Sequence, residues 1–122
     1  MNTLITGELP TTLQGFYDNA WRWAHKPDFK KSKHKSRARC LYRTEDNTNA
    51  CFIGCSIPDR LYCESFEATA LPSVLTTLGV EAHVAVSLWA LQLCHDKSAE
   101  VDAMKDKLRL FAKNHNLTIP TE

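Results

Sequence analysis

Residues 40–62 read Cys-Leu-Tyr-Arg-Thr-Glu-Asp-Asn-Thr-Asn-Ala-Cys-Phe-Ile-Gly-Cys-Ser-Ile-Pro-Asp-Arg-Leu-Tyr, and no other stretch restricts the fold as much. Two short β-prone runs, Cys40 to Arg43 and Cys51 to Ile53, flank a polar loop of Glu45, Asp46, Asn47, Thr48 and Asn49. Asp and Asn tolerate the left-handed backbone of tight turns, so the pattern predicts a β-hairpin. Gly54 follows, and Pro58 forces the chain out of any ladder.

Elsewhere the pattern is helical. Thr11 or Thr12 can cap a helix running to about Ala24, with Leu13, Phe16, Tyr17, Ala20, Trp21 and Ala24 on one stripe. Trp23 falls off that stripe, and Pro27 ends the helix by disfavouring helical geometry at Lys26. Leu71 to Leu78 reads as a short helix with Pro72 in its first turn and Gly79 as its stop. Glu81 to Asp96 is apolar nearly all round and predicts a central buried helix, with Trp89 in the core. Ser98 can cap a last helix to about Asn114, on which Val101, Met104, Leu108 and Phe111 recur, and the tail from Asn116 reads as loose. The expected fold is therefore α+β: a mainly helical single domain over 1–122, with about four helices and one β-hairpin.

The chain has 122 residues, enough for a hydrophobic core without disulfides or metals. No apolar run approaches the roughly 18 residues of a membrane span, and the N-terminus lacks the pattern of a secretory signal. Five cysteines in a cytoplasmic context read as thiols or metal ligands rather than a disulfide framework.

The net charge of +1 conceals a segregation. Residues 1–43 carry nine Lys and Arg against three acids, whereas residues 44–122 carry six against eleven. The positive charge concentrates at 26–39, where seven cations and one Asp occupy fourteen positions. That composition predicts an exposed basic loop that buries no core. Lys30, Lys31, Lys33, Lys35, Arg37 and Arg39 are its candidate partner-binding residues. They can meet an acidic protein surface or lie along phosphates, with Trp21, Trp23, Phe29 and His34 near enough to stack on bases.

Two chemical alternatives centre on the cysteines. Cys40, Cys51, Cys55 and His95 are candidate zinc ligands, although C-x10-C-x3-C spacing is looser than the usual knuckles, and buried Cys is also an ordinary small hydrophobe. Cys51 or Cys40 can act as a nucleophile with His95 as base and Asp59 or Asp96 as orienting group. No helix N-terminus is evident after Cys51 to lower its pKa, and Asp96, adjoining His95 on a helix, is expected to point elsewhere. No signature of a known enzyme class is present. Arg43 is expected to pair with Asp59 or Asp46 for structural reasons.

The stretch Cys40-Leu-Tyr-Arg43, Cys51-Phe-Ile-Gly-Cys-Ser-Ile-Pro-Asp59 and Tyr62, followed by Leu91-Gln92-Leu-Cys-His95-Asp96, resembles a family of small proteins frequent in bacteriophage and prophage genomes. The family pattern has glycines where this chain has Thr44 and Asn47, and a small residue at Phe52. The resemblance implies a phage-related origin and a compact α+β domain, and it transfers no activity. It favours an accessory protein of the bacterial host's cytoplasm that binds and modulates or inhibits a host factor, for instance a defence nuclease complex or the transcription machinery. The alternatives are a nucleic-acid-binding protein using the basic loop and a zinc- or cysteine-dependent domain. No cofactor other than zinc is implied, and no membrane partner.

Overall fold

Thr12 begins the first helix because its extended backbone lets its hydroxyl accept the Gly15 N–H at 3.1 Å. Helix α1 then spans Leu13–Ala24 and buries Phe16, Tyr17, Ala20, Trp21 and Ala24, the stripe its periodicity predicts. In the computed structural model the described residues are 8–26, 29, 42–44, 49–97 and 100–120. Helix α2 covers Leu71–Thr77, α3 Ala82–Asp96 and α4 Val101–Asn114. Three 3-10 turns, Gly54–Ser56, Asp59–Leu61 and Glu64–Ala68, lead from the loop region into α2.

Helices α1, α3 and α4 pack on one another, and the Gly54–Ser56 turn docks on α1. Their shared core includes Phe16, Tyr17, Leu88, Leu91, Met104 and Leu108, all fully buried. Each such Leu contributes about 1.5–3 kcal/mol of transfer free energy. Tyr17 stacks on Phe111 with ring centroids 6.0 Å apart, and its hydroxyl donates to the Leu108 carbonyl at 2.8 Å, so its polar end is satisfied inside the core. A smaller cluster of Ile57, Phe66 and Val74 lies under the 3-10 turns.

Helix α2 stops where expected. Gly79 takes φ +79°, the Gly79 N–H bonds the Thr76 carbonyl, and the Val80 N–H reaches back to Leu75. Helix α4 begins after Glu100 rather than from a Ser98 cap, and Ser98 lies outside the described residues. The tail is tied down rather than loose: Gln14 donates to the Thr118 carbonyl and accepts the Thr118 N–H, at 2.8 and 2.9 Å.

Two larger expectations are overturned as well. The β-hairpin is absent: the described residues contain no strand, only one isolated antiparallel bridge between Arg43 and Ala50, so the fold is mainly helical and not α+β. Two backbone bonds cross between the segments, Thr44 N–H to the Asn49 carbonyl and Cys51 N–H to the Tyr42 carbonyl, and the other donors that would extend a ladder go to side chains. Glu67 takes the N–H groups of Tyr42 and Arg43, Thr44 Oγ1 takes that of Asn49, and Asn49 Oδ1 takes that of Ala50. Beyond Cys51 the chain coils at once, with the Cys55 N–H on the Cys51 carbonyl at 2.9 Å.

Second, α3 is not buried all round. One side carries Val84, Leu88, Leu91, Gln92, Cys94 and His95 into the core, while Val86 is 76 % and Trp89 52 % exposed. Among the described residues no helix is long and apolar enough to cross a membrane.

Candidate functional site

The motif residues converge on the loop region and hold it together. Arg43 is 5 % exposed; its Nη1 lies 2.7 Å from Asp59 Oδ1, its Nη2 donates to the Ile57 carbonyl at 2.6 Å, and its guanidinium covers the Tyr62 ring at 4.4 Å. Tyr62 in turn donates its hydroxyl to Glu67, the carboxylate that fixes the Tyr42–Arg43 backbone. The expected Arg43–Asp59 pair is therefore present, and its surroundings are structural.

A second network crosses from the loop to α3. The Ile53 N–H donates to Gln92 Oε1 at 3.1 Å, Gln92 Nε2 donates to Asp96 Oδ1 at 2.7 Å, and His95 Nδ1 lies 2.9 Å from the same oxygen. Asp96 thus reaches His95, contrary to the expectation that it points elsewhere: at the end of α3 its side chain folds back beside its neighbour's ring. His95 is fully buried, with its ring edge-on to Phe52 and Phe29 at 5.5 and 6.5 Å.

Cys51, Cys55 and Cys94 are placed for packing rather than attack, whereas Cys63 is exposed. Cys51 is fully buried and its Sγ accepts the Gly54 N–H at 3.2 Å, while the Cys55 thiol points at the Phe52 carbonyl at 3.3 Å. A turn N-terminus does follow Cys51, against expectation. Burial nevertheless outweighs its N–H groups and pushes the Cys51 thiol up from 9.0 to about 12. Burial likewise raises Cys94 to about 11 and Cys55 well above its ordinary value. A thiol held protonated is a poor nucleophile and a poor metal ligand. Among the described residues no three His, Cys, Asp or Glu side chains converge as a metal group.

These shifts fix a sign. The folded chain keeps the thiols neutral while the unfolded chain ionises near 9, so their contribution is complete below pH 9 and is lost as pH rises towards about 12. Each buried thiol is expected to remove on the order of 1 kcal/mol of stability per pH unit across that window. Urea midpoints followed from pH 8 to 11 should fall progressively above 9, and a flat profile would contradict the burial of these groups.

Of the basic segment, Lys30, Lys31, Lys33, Lys35, Arg37 and Arg39 lie outside the described residues, as do His34 and Cys40. Two flanking contacts are described. Lys26 Nζ sits 3.7 Å above the Trp23 ring, and Phe29, expected in an exposed loop, is buried against Phe52 at 5.9 Å. Trp21 is buried in the core as well, and Trp23 donates its indole N–H to Asn49 Oδ1 and the Ala50 carbonyl.

The feature that sequence reasoning missed lies on the outer side of α3. A cavity of about 250 Å³ is lined by Tyr42, Glu67, Thr69, Trp89, Gln92 and Asp96. The Tyr42 hydroxyl is pushed well up, first by burial and then by the charges of Cys51, Glu67 and Asp96. Beside it runs an apolar groove of about 730 Å³ between α2 and α3. The available signal was the spacing Trp89, Gln92, Leu93 and Asp96, which repeats at helical intervals on one face.

No family model, curated protein or solved structure matches the chain.

Proposed function

We propose that this chain is a phage-related accessory protein that acts by binding in the host cytoplasm, modulating or inhibiting a host protein or protein–nucleic-acid complex. The observation that carries this reading is the charge segregation: seven cations within residues 26–39, against an excess of acids over the rest of the chain from Thr44 onward. Such a run steers association with an acidic surface and makes it salt-dependent. The burial of Cys51, Cys55 and Cys94 adds support, since those three thiols are committed to the interior.

Nucleic acid is the less favoured partner. Base-stacking needs exposed rings, and Trp21 and Phe29 are both buried in the core.

The test is a tagged pull-down from host cells, with and without nuclease, using the chain and a Lys31→Glu, Lys33→Glu, Lys35→Glu variant. A stoichiometric host protein should survive nuclease, and the variant should bind it roughly 30-fold or more weakly at low salt, with a flatter salt dependence. Unchanged binding by the variant removes the basic segment from the interface. Partners that all vanish with nuclease transfer the reading to nucleic acid.

A further inference from the structure

Helix α3 lacks the charged outer side of a surface helix. Between Glu81 and Asp96 it carries no Lys, Arg, Asp or Glu, yet Ala82, Val86 and Trp89 are exposed along it. Helix α4, of similar length, carries Asp102, Lys105, Asp106, Lys107, Arg109 and Lys113. Val86 and Trp89 adjoin the groove that Leu71, Leu75 and Val80 line, so the exposed apolar surface is continuous rather than scattered. A helix apolar round its circumference is one that something covers.

The pattern along α3 names the cover. Positions four apart form a ridge on a helix, and packing such ridges together is the commonest way that two helices meet. The ridge through Trp89 consists of Glu81, Ala85, Trp89, Leu93 and Lys97. Run backwards, it complements itself: acid lies against base, a small side chain against a large one, and Trp against Trp at the centre. Both end groups are exposed, and Glu81 has only the His83 ring, at 3.2 Å, as a charged neighbour in contact. No net charge on the ridge opposes a second copy of itself.

We propose that the outer face of α3 is the interface of a symmetric dimer of this chain, with the two α3 helices antiparallel about a two-fold axis at Trp89. In that arrangement Glu81 of each copy meets Lys97 of the other, and Ala85 makes room for Leu93 at the mouth of the groove. Ala82 comes opposite Asp96 of the second copy, whose carboxylate already turns towards Gln92 and His95. The 15 residues of α3 make a helix about 22 Å long, and with α2 beside it the patch is about 20 Å wide. A contact on the order of 450 Å² a side is about half a standard interface, so the dimer forms at roughly 10–100 μM. The face uses no residue of 26–39, so it stands or falls separately from the reading of the basic segment.

The experiment is sedimentation velocity of the full chain and four variants, from about 5 to about 500 μM, with far-UV circular dichroism to confirm that each is folded. The unaltered chain should pass from monomer to dimer across this range and stop there. Trp89→Ala, at an exposed position, should weaken association roughly 30-fold or more. Glu81→Lys and Lys97→Glu should each weaken it about three- to tenfold at low salt, because each turns two attractions into repulsions. The double variant Glu81→Lys, Lys97→Glu should recover the original affinity, which an effect on the helix ends alone would not produce. A chain that stays monomeric at every concentration, one that grows beyond the dimer, or a dimer indifferent to Trp89→Ala would each overturn the interface. Failure of the double variant to recover would overturn the antiparallel two-fold arrangement.

Discussion

Gly54→Ala is expected to cost about 3 kcal/mol or more of stability, the largest effect among the described glycines. A Cβ at Gly54 would lie 2.7 Å from the Tyr42 carbonyl carbon and 3.0 Å from its Cα, with the carbonyl oxygen closer still. Flexible side chains can yield to such an intrusion, but here the obstacle is backbone. That backbone is pinned by the Cys51 N–H on the Tyr42 carbonyl at 3.1 Å and by Glu67 on the Tyr42 N–H at 2.8 Å. Relief would have to break one of these bonds or lift the Gly54–Ser56 turn from α1. A useful contrast is Gly79→Ala, where no atom lies within 4 Å and only the positive φ is strained, so about 1 kcal/mol is expected. Urea denaturation of both variants, read by circular dichroism, decides the matter. A Gly54→Ala loss below that of Gly79→Ala would mean that the two segments do not approach so closely.

The same contact explains what the sequence could and could not disclose. Helices α1, α2 and α4 were legible because their apolar residues repeat on one face, and in α1 and α2 the ends also carry local signals: Thr12, Pro72 and Gly79 act on bonds within a few residues. The loop region was not. Cys40–Arg43 and Cys51–Ile53 have β propensity, but propensity records only what a segment favours alone. Glu67 and Gln92, 25 and 39 positions from the N–H groups they accept, decide the outcome. Helix α3 was legible as a helix, but its burial was not, for another reason. A helix apolar round its circumference carries no information about which side faces out, so Trp89 looked like core and the cavity it borders stayed hidden. The Arg43–Asp59 pair could be anticipated because a long cation and an acid after a proline turn must find partners once their loop is folded inward.

That pair yields a second large effect, with an asymmetry. Asp59→Asn should cost more than Arg43→Met. Removing the arginine takes one partner from Asp59 and from the Ile57 carbonyl, but Asp59 is 30 % exposed and recovers part of its hydration. Removing the aspartate charge leaves a guanidinium only 5 % exposed, which cannot shed its proton, and its buried Nε has no hydrogen-bond partner among the described residues to begin with. Losses of about 2 kcal/mol for Arg43→Met and about 4 kcal/mol for Asp59→Asn follow from the penalty for breaking a buried pair. The double variant should then cost less than the sum of the two by about 1–3 kcal/mol, because with the guanidinium gone the neutral amide that replaces Asp59 no longer faces an uncompensated cation. Equilibrium unfolding of the four proteins in urea measures the cycle. Strict additivity, or a greater loss for Arg43→Met, would show that Arg43 acts through its packing on Tyr62 and its bond to Ile57 rather than through charge.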